Sequence, residues 1–119
     1  SDLGQFEGYT TAWGEIGGGG GINVIIKSSA YILQASDVGS IISISSGGVT
    51  VPSGVFSAGD TVIIYNDSAS SQTITQGSGV TLRLPGTSDT GDRTLQLRGL
   101  STILCVASNE FAITGTGLL

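Results

Sequence analysis

Glycine interrupts this chain so often that no long regular element fits between the breaks. Twenty of its 119 residues are glycine, and between them lie short runs in which β-branched and polar residues alternate. A glycine inside a helix costs about 1 kcal/mol relative to alanine, and no segment carries an apolar stripe at helical spacing to offset that cost. A strand needs only a short run with a period of two, and that pattern recurs. The runs are 22–27, 30–34, 40–45, 49–51, 61–65, 72–75, 80–84, 93–98, 101–107 and 110–114. Between them stand turn residues, among them Gly47-Gly48, Pro52, Gly59-Asp60 and Asn66-Asp67-Ser68. The one exception entertained is a turn of helix around Val55 and Phe56.

Nine or ten short strands spaced by about 8–12 residues predict an all-β domain, an antiparallel β-sandwich or jelly-roll-like fold over residues 22–119. The inward positions give an expected core of Ile25, Leu33, Ile42, Ile44, Val62, Ile64, Ile74, Leu82, Leu95, Leu97, Ile103, Cys105 and Ile113, with Phe56 and Phe111 beside it. Residues 1–21 differ in kind. Phe6, Tyr9 and Trp13 are three of the chain's seven aromatic residues, and Gly17 to Gly21 form an unbroken glycine run. That reads as a flexible arm and linker, with the aromatics serving as an assembly arm that docks on a neighbour. A chain that starts at Ser1 rather than Met reads as a processed product or as part of a longer polypeptide.

Chemistry-bearing residues are scarce. There is no histidine, so the usual general base at neutral pH is missing, and the carboxylates fall mostly in turn contexts. Four cations, Lys27, Arg83, Arg93 and Arg98, against a net charge of −5 do not make a phosphate-binding surface, so nucleic acid is excluded as a partner. Cys105, the lone cysteine, stands in an apolar run and reads as a small buried hydrophobe. With no second thiol and no imidazole, it supports neither a disulfide nor a zinc site nor an activated nucleophile. Thr87–Asp92 spaces oxygen donors in the manner of a calcium loop but lacks the closing acidic ligand. No cofactor and no metal are expected. No run is long and apolar enough to span a membrane, so no membrane insertion is expected. Charge is sparse at 11% of residues, and a surface of Ser, Thr, Gly and Asn packs against neighbours with few ions to desolvate.

From Tyr31 to Gly117 the chain resembles a small β domain of tailed-bacteriophage virion proteins, of the tail-fibre-like or capsid-decorating kind. The phrases that carry the resemblance are Tyr31-Ile-Leu-Gln-Ala-Ser-Asp-Val-Gly39, Val49-Thr-Val-Pro52, the strand Phe56 to Asn66, the short strands at 72–75 and 79–82, and the closing hairpin Leu100 to Gly115. One departure is Phe111 in the closing strand, where the family more often has Trp. The resemblance implies a virion location with assembly in the host cytoplasm, other virion proteins as partners, and a homo-oligomer, with a trimer favoured. It implies nothing catalytic.

Three functions compete on this sequence. A non-enzymatic virion surface module, with loops that touch host-surface glycans, leads. A stand-alone carbohydrate-binding module is the alternative, with Tyr65 beside Asn66 and Asp67 as its candidate platform. A glycosidase would need two carboxyl groups about 5–9 Å apart, for which Asp89 and Asp92 are the nearest in sequence. The arginines around them favour a solvated, salt-bridged hairpin instead. The candidate binding residues are thus Tyr65, Asn66, Asp67, Asp89 and Asp92.

Overall fold

The computed structural model describes residues 22–119. The expected arm residues Phe6, Tyr9 and Trp13 lie outside the described residues. Nine strands form where the ten alternating runs stand: β1 (Val24–Lys27), β2 (Tyr31–Ile32), β3 (Ile41–Ile44), β4 (Val49–Val51), β5 (Thr61–Asn66), β6 (Gln72–Gln76), β7 (Thr81–Arg83), β8 (Arg93–Ala107) and β9 (Glu110–Leu118). The runs 93–98 and 101–107 are one strand of 15 residues that continues through Gly99, so the expectation that glycine keeps every element short is corrected. The fold is all-β. The one helical turn among the described residues is a 3-10 turn at Ala35–Asp37, so the expectation of one around Val55 and Phe56 is corrected.

The pairing corrects the antiparallel expectation. β1, β3 and β5 pair in parallel as one stack, and β2, β4 and β6 pair in parallel as a second. Strands that follow one another in sequence, such as β3 and β4, therefore belong to different stacks. The chain winds as a coil in which each turn adds one strand to each stack and a returning segment closes the loop. β8 then runs back across the third turn, antiparallel to β6 through Leu95 and to β5 from Leu100 onward. β9 folds back along β8, and β7 pairs in parallel with the start of β9. The whole is one nine-stranded, nearly closed, barrel-like sheet.

Side chains from both stacks meet inside the coil. Ile42, Ile44, Ile64 and Ile74 are fully buried together with Val51, Leu82, Leu95 and Ile113, and each such side chain contributes about 1.5–3 kcal/mol relative to remaining exposed. Phe56 and Phe111 pack edge to face, with ring centroids 5.9 Å apart. Two expected core residues fall short. Ile25 is only partly buried, because it belongs to the first turn and has no turn beyond it among the described residues. Leu97 is 59% exposed, because the β8 ladder is irregular between Leu95 and Leu100 and Arg98 adopts a left-handed φ of 53°, which resets the alternation.

Close stacking explains two of the glycines. At Gly47 a Cβ would fall 2.2 Å from the Ala30 backbone nitrogen, where the corner of the second turn lies on the corner of the first. At Gly115 it would fall 2.2 Å from the Leu100 carbonyl oxygen, where β9 crosses the buried Ser101.

Candidate functional site

The corner between β5 and β6 gathers three of the predicted residues but divides their roles. Asn66 ends β5 facing inward and is completely buried. Its Nδ2 donates to the carbonyls of Ser70 (2.7 Å), Leu95 (2.9 Å) and Gln96 (2.9 Å), and its Oδ1 accepts from the Ser68 hydroxyl at 2.6 Å. Gln72, also buried, continues this network. Its Oε1 accepts from the Gly48 amide at 3.0 Å and its Nε2 donates to Ser68 Oγ at 3.2 Å. These amides join the corners of the second and third turns to the bend of β8. Asn66 therefore has no free amide for a ligand. Buried polar groups must be satisfied, and here they are satisfied by the framework.

Asp67 and Tyr65 face outward from the same corner. Asp67 accepts from Arg98 Nη1 at 2.5 Å, with both side chains about half exposed. Arg98 reaches it because the left-handed turn at that residue throws its side chain out of the ladder. Tyr65 is half-buried on the outer face of β5, opposite Leu100.

Asp89 and Asp92 stand at the other end of β6, in the hairpin that leads into β8. The Asp92 carboxylate accepts from the Gln76 amide at 2.8 Å, and the Asp89 amide donates to Thr87 Oγ1 at 3.0 Å. The corner near Gln72 and the loop near Gln76 are thus separated by the length of β6, and the five candidate residues form two groups rather than one cleft. The salt bridges expected within the hairpin fall elsewhere: Arg83 pairs with Glu110 at 2.7 Å and Arg98 with Asp67. Arg93 instead donates from Nε to the Asp92 backbone carbonyl.

A third polar cluster, not anticipated as a unit, covers the first turn. Tyr31 faces inward above Val49 and its hydroxyl donates to Asp37 Oδ2 at 2.7 Å. That carboxylate is buried and also accepts from the Gln34 amide at 2.8 Å. Lys27 Nζ lies 4.6 Å from the centre of the Tyr31 ring. Burial, reinforced by the hydrogen bond to Asp37 and by its negative charge, pushes the Tyr31 phenol up to about 12. Stacked-turn proteins need a polar cover over the last apolar layer, and these three side chains supply one.

Cys105 is buried, as expected from its apolar run, and burial is the main cause that pushes its thiol above the ordinary range. A protonated buried thiol is a poor nucleophile. Among the described residues no three His, Cys, Asp or Glu side chains gather as a metal site, and no helix is long and apolar enough to cross a membrane. No protein-family model, no curated protein and no solved structure matches this chain.

Proposed function

We propose that this chain is a non-enzymatic surface component of a bacteriophage particle, of the tail-fibre or capsid-decorating kind. It is assembled in the host cytoplasm as a homo-oligomer, with a trimer favoured, and it contacts other virion proteins. The observation that carries this reading is how the candidate residue Asn66 and the polar side chains around it are used. Asn66, Ser68 and Gln72 are bonded to one another and to the backbone of two turns and of β8. A chain that directs its buried amides to locking its layers is built to persist as a framework. The phage-like phrases from Tyr31 to Gly117 fall on the strands and corners of that framework, which supports a structural role for them.

Contact with host-surface glycans is assigned to the turn segments 66–71 and 87–92, which lie between firm strands. A stand-alone carbohydrate-binding module remains the second reading. Tyr65, with its ring on the outer face of β5 and the Asp67–Arg98 pair beyond it, favours that reading.

Antibody against the purified chain, applied to phage particles grown from the source of the sequence, tests the first reading by electron microscopy. Regular labelling of the particle is expected, and particles without label overturn it. Retention on a glycan array that is lost in Tyr65→Ala, together with unlabelled particles, would favour the second. Release of reducing ends from any retained polysaccharide would contradict both.

A further inference from the structure

Asn66-Asp67-Ser68 is the one place in the chain where asparagine is followed two residues later by serine or threonine. That spacing is the acceptor sequence for N-linked glycans, and it ordinarily marks a surface loop because the amide nitrogen must reach the transferring enzyme. Here it marks the opposite. Asn66 is completely buried, and the two protons on its Nδ2 are shared among the carbonyls of Ser70, Leu95 and Gln96. The serine that completes the sequence is engaged as well. Its hydroxyl lies 2.6 Å from Asn66 Oδ1 and 2.8 Å from the Ser70 carbonyl, and accepts from Gln72 Nε2 at 3.2 Å.

We propose that Asn66 is an N-glycan acceptor in the unfolded chain only, and that modification there and folding exclude each other. The transfer forms a bond from Asn66 Nδ2 to C1 of the first sugar. It breaks the bond from that carbon to the pyrophosphate of a lipid-linked oligosaccharide, releases the lipid pyrophosphate, and passes one amide proton to a base of the enzyme. The product keeps a single proton on Nδ2 for three carbonyls, in a site that excludes water. It also carries a sugar ring where Asn66 is completely buried, and closely packed interiors hold few voids larger than a water molecule. Turning a side chain cannot make room for a glycan. The corner itself must leave the coil.

That corner is held from two sides. The Asp67 amide donates to the Ile44 carbonyl at 2.8 Å, which ties it to the second turn. The Arg98 amide donates to the Ser68 carbonyl at 3.3 Å, which ties it to β8. Ile44 and Asn66 are the last ladder pair of β3 and β5, so freeing Asn66 Nδ2 opens the end of that ladder together with the bend of β8. An opening of this extent lies toward global unfolding rather than local fraying. The acceptor is thus open to transfer before the third turn closes and shut afterwards. A chain that meets an oligosaccharyltransferase during synthesis is diverted from its fold, and one that folds first is left unmodified.

The test presents the full chain to a purified single-subunit oligosaccharyltransferase, with a lipid-linked oligosaccharide as donor, in two ways. In one the chain is already folded. In the other it is synthesised in a cell-free reaction that contains the enzyme and the donor. Intact mass reads the addition of one glycan, and Asn66→Gln, which removes the acceptor, sets the background. The folded chain is expected to be modified at least about 100-fold more slowly than the nascent one, because transfer then tracks the small population of open chains. The glycosylated product, isolated on a lectin, is expected to give no strand spectrum in circular dichroism and no cooperative urea transition. A folded chain modified as fast as the nascent one overturns the shielding of the acceptor. A nascent chain that stays unmodified overturns the acceptor assignment. A glycosylated chain that folds with the parent's urea midpoint overturns the exclusion between glycan and fold.

Discussion

Replacing Asn66 by alanine is expected to cost about 3 kcal/mol, although the residue lies in a loop-like corner beside an exposed salt bridge. The side chain is fully buried and its amide carries two protons, shared among the carbonyls of Ser70, Leu95 and Gln96. Its oxygen accepts a third hydrogen bond, from Ser68. At about 1 kcal/mol for each neutral hydrogen bond, with the three carbonyls left in a site that excludes water, the loss comes to about 3 kcal/mol. For a domain of this size the urea dependence is about 1–3 kcal/mol per molar, so the midpoint should fall by about 1–3 M with little change in slope. Asp67→Asn provides the contrast at the next residue. Its partnership with Arg98 is about half exposed on both sides, and such pairs are worth about 0.2–1 kcal/mol. Urea titration followed by far-ultraviolet circular dichroism measures both variants under one set of conditions. If Asn66→Ala costs no more than Asp67→Asn, the corner amide does not lock the turns and the reasoning fails.

Three further outcomes follow from other parts of the fold. Gly47→Ala should destabilise by about 3 kcal/mol or more, because left-handed strain of about 1–2 kcal/mol adds to a backbone collision with Ala30. Gly39→Ala, also left-handed but with nothing within 4 Å, should show the strain alone, and thermal melts of the two variants separate the terms. Ser101 carries a buried hydroxyl with no hydrogen-bond partner, so Ser101→Ala should raise stability by about 1 kcal/mol in the same titration, and a loss of that size would contradict it. The raised Tyr31 phenol makes the folded state hold its proton while the unfolded chain releases it. That contribution is complete below pH about 10 and is lost as pH rises toward 12, so unfolding midpoints measured across this window should fall more steeply for the parent than for Tyr31→Phe.

Strand positions and the inward set were legible because an alternating run reports which side is buried whatever its partner is. Ile42, Ile44, Ile64 and Ile74 needed only that rule. Direction was not legible. A short link such as residues 45–48 serves a hairpin or the corner of a coil equally well, and the sign of a coil is similarity between alternate strands. Here that similarity is masked by uneven steps: 17 residues from Val24 to Ile41 and 22 from Ile41 to Ile63, with 18 and 25 along the second stack. The glycines that stacking requires at 47 and 48 read equally well as hairpin turn residues. Asn-Asp-Ser ordinarily marks an exposed turn, and that signal competes at Asn66 with the alternation of Val62 and Ile64, which carries its side chain into the coil. The outward grouping of Ile26, Ile63 and Leu100 could not be found from the sequence, since these residues become neighbours only once the parallel register is known.

The central claim is that the turns stack in parallel, because the locked corners depend on it. Couplings across hydrogen bonds, measured by nuclear magnetic resonance on the isotopically labelled chain, test it most directly. The coil predicts that the Ile41 amide couples to the Asn23 carbonyl, Ile63 to Ser40, Asp67 to Ile44 and Leu33 to Thr50. Amides of β3 coupled to carbonyls of β4 in hairpin register would contradict it.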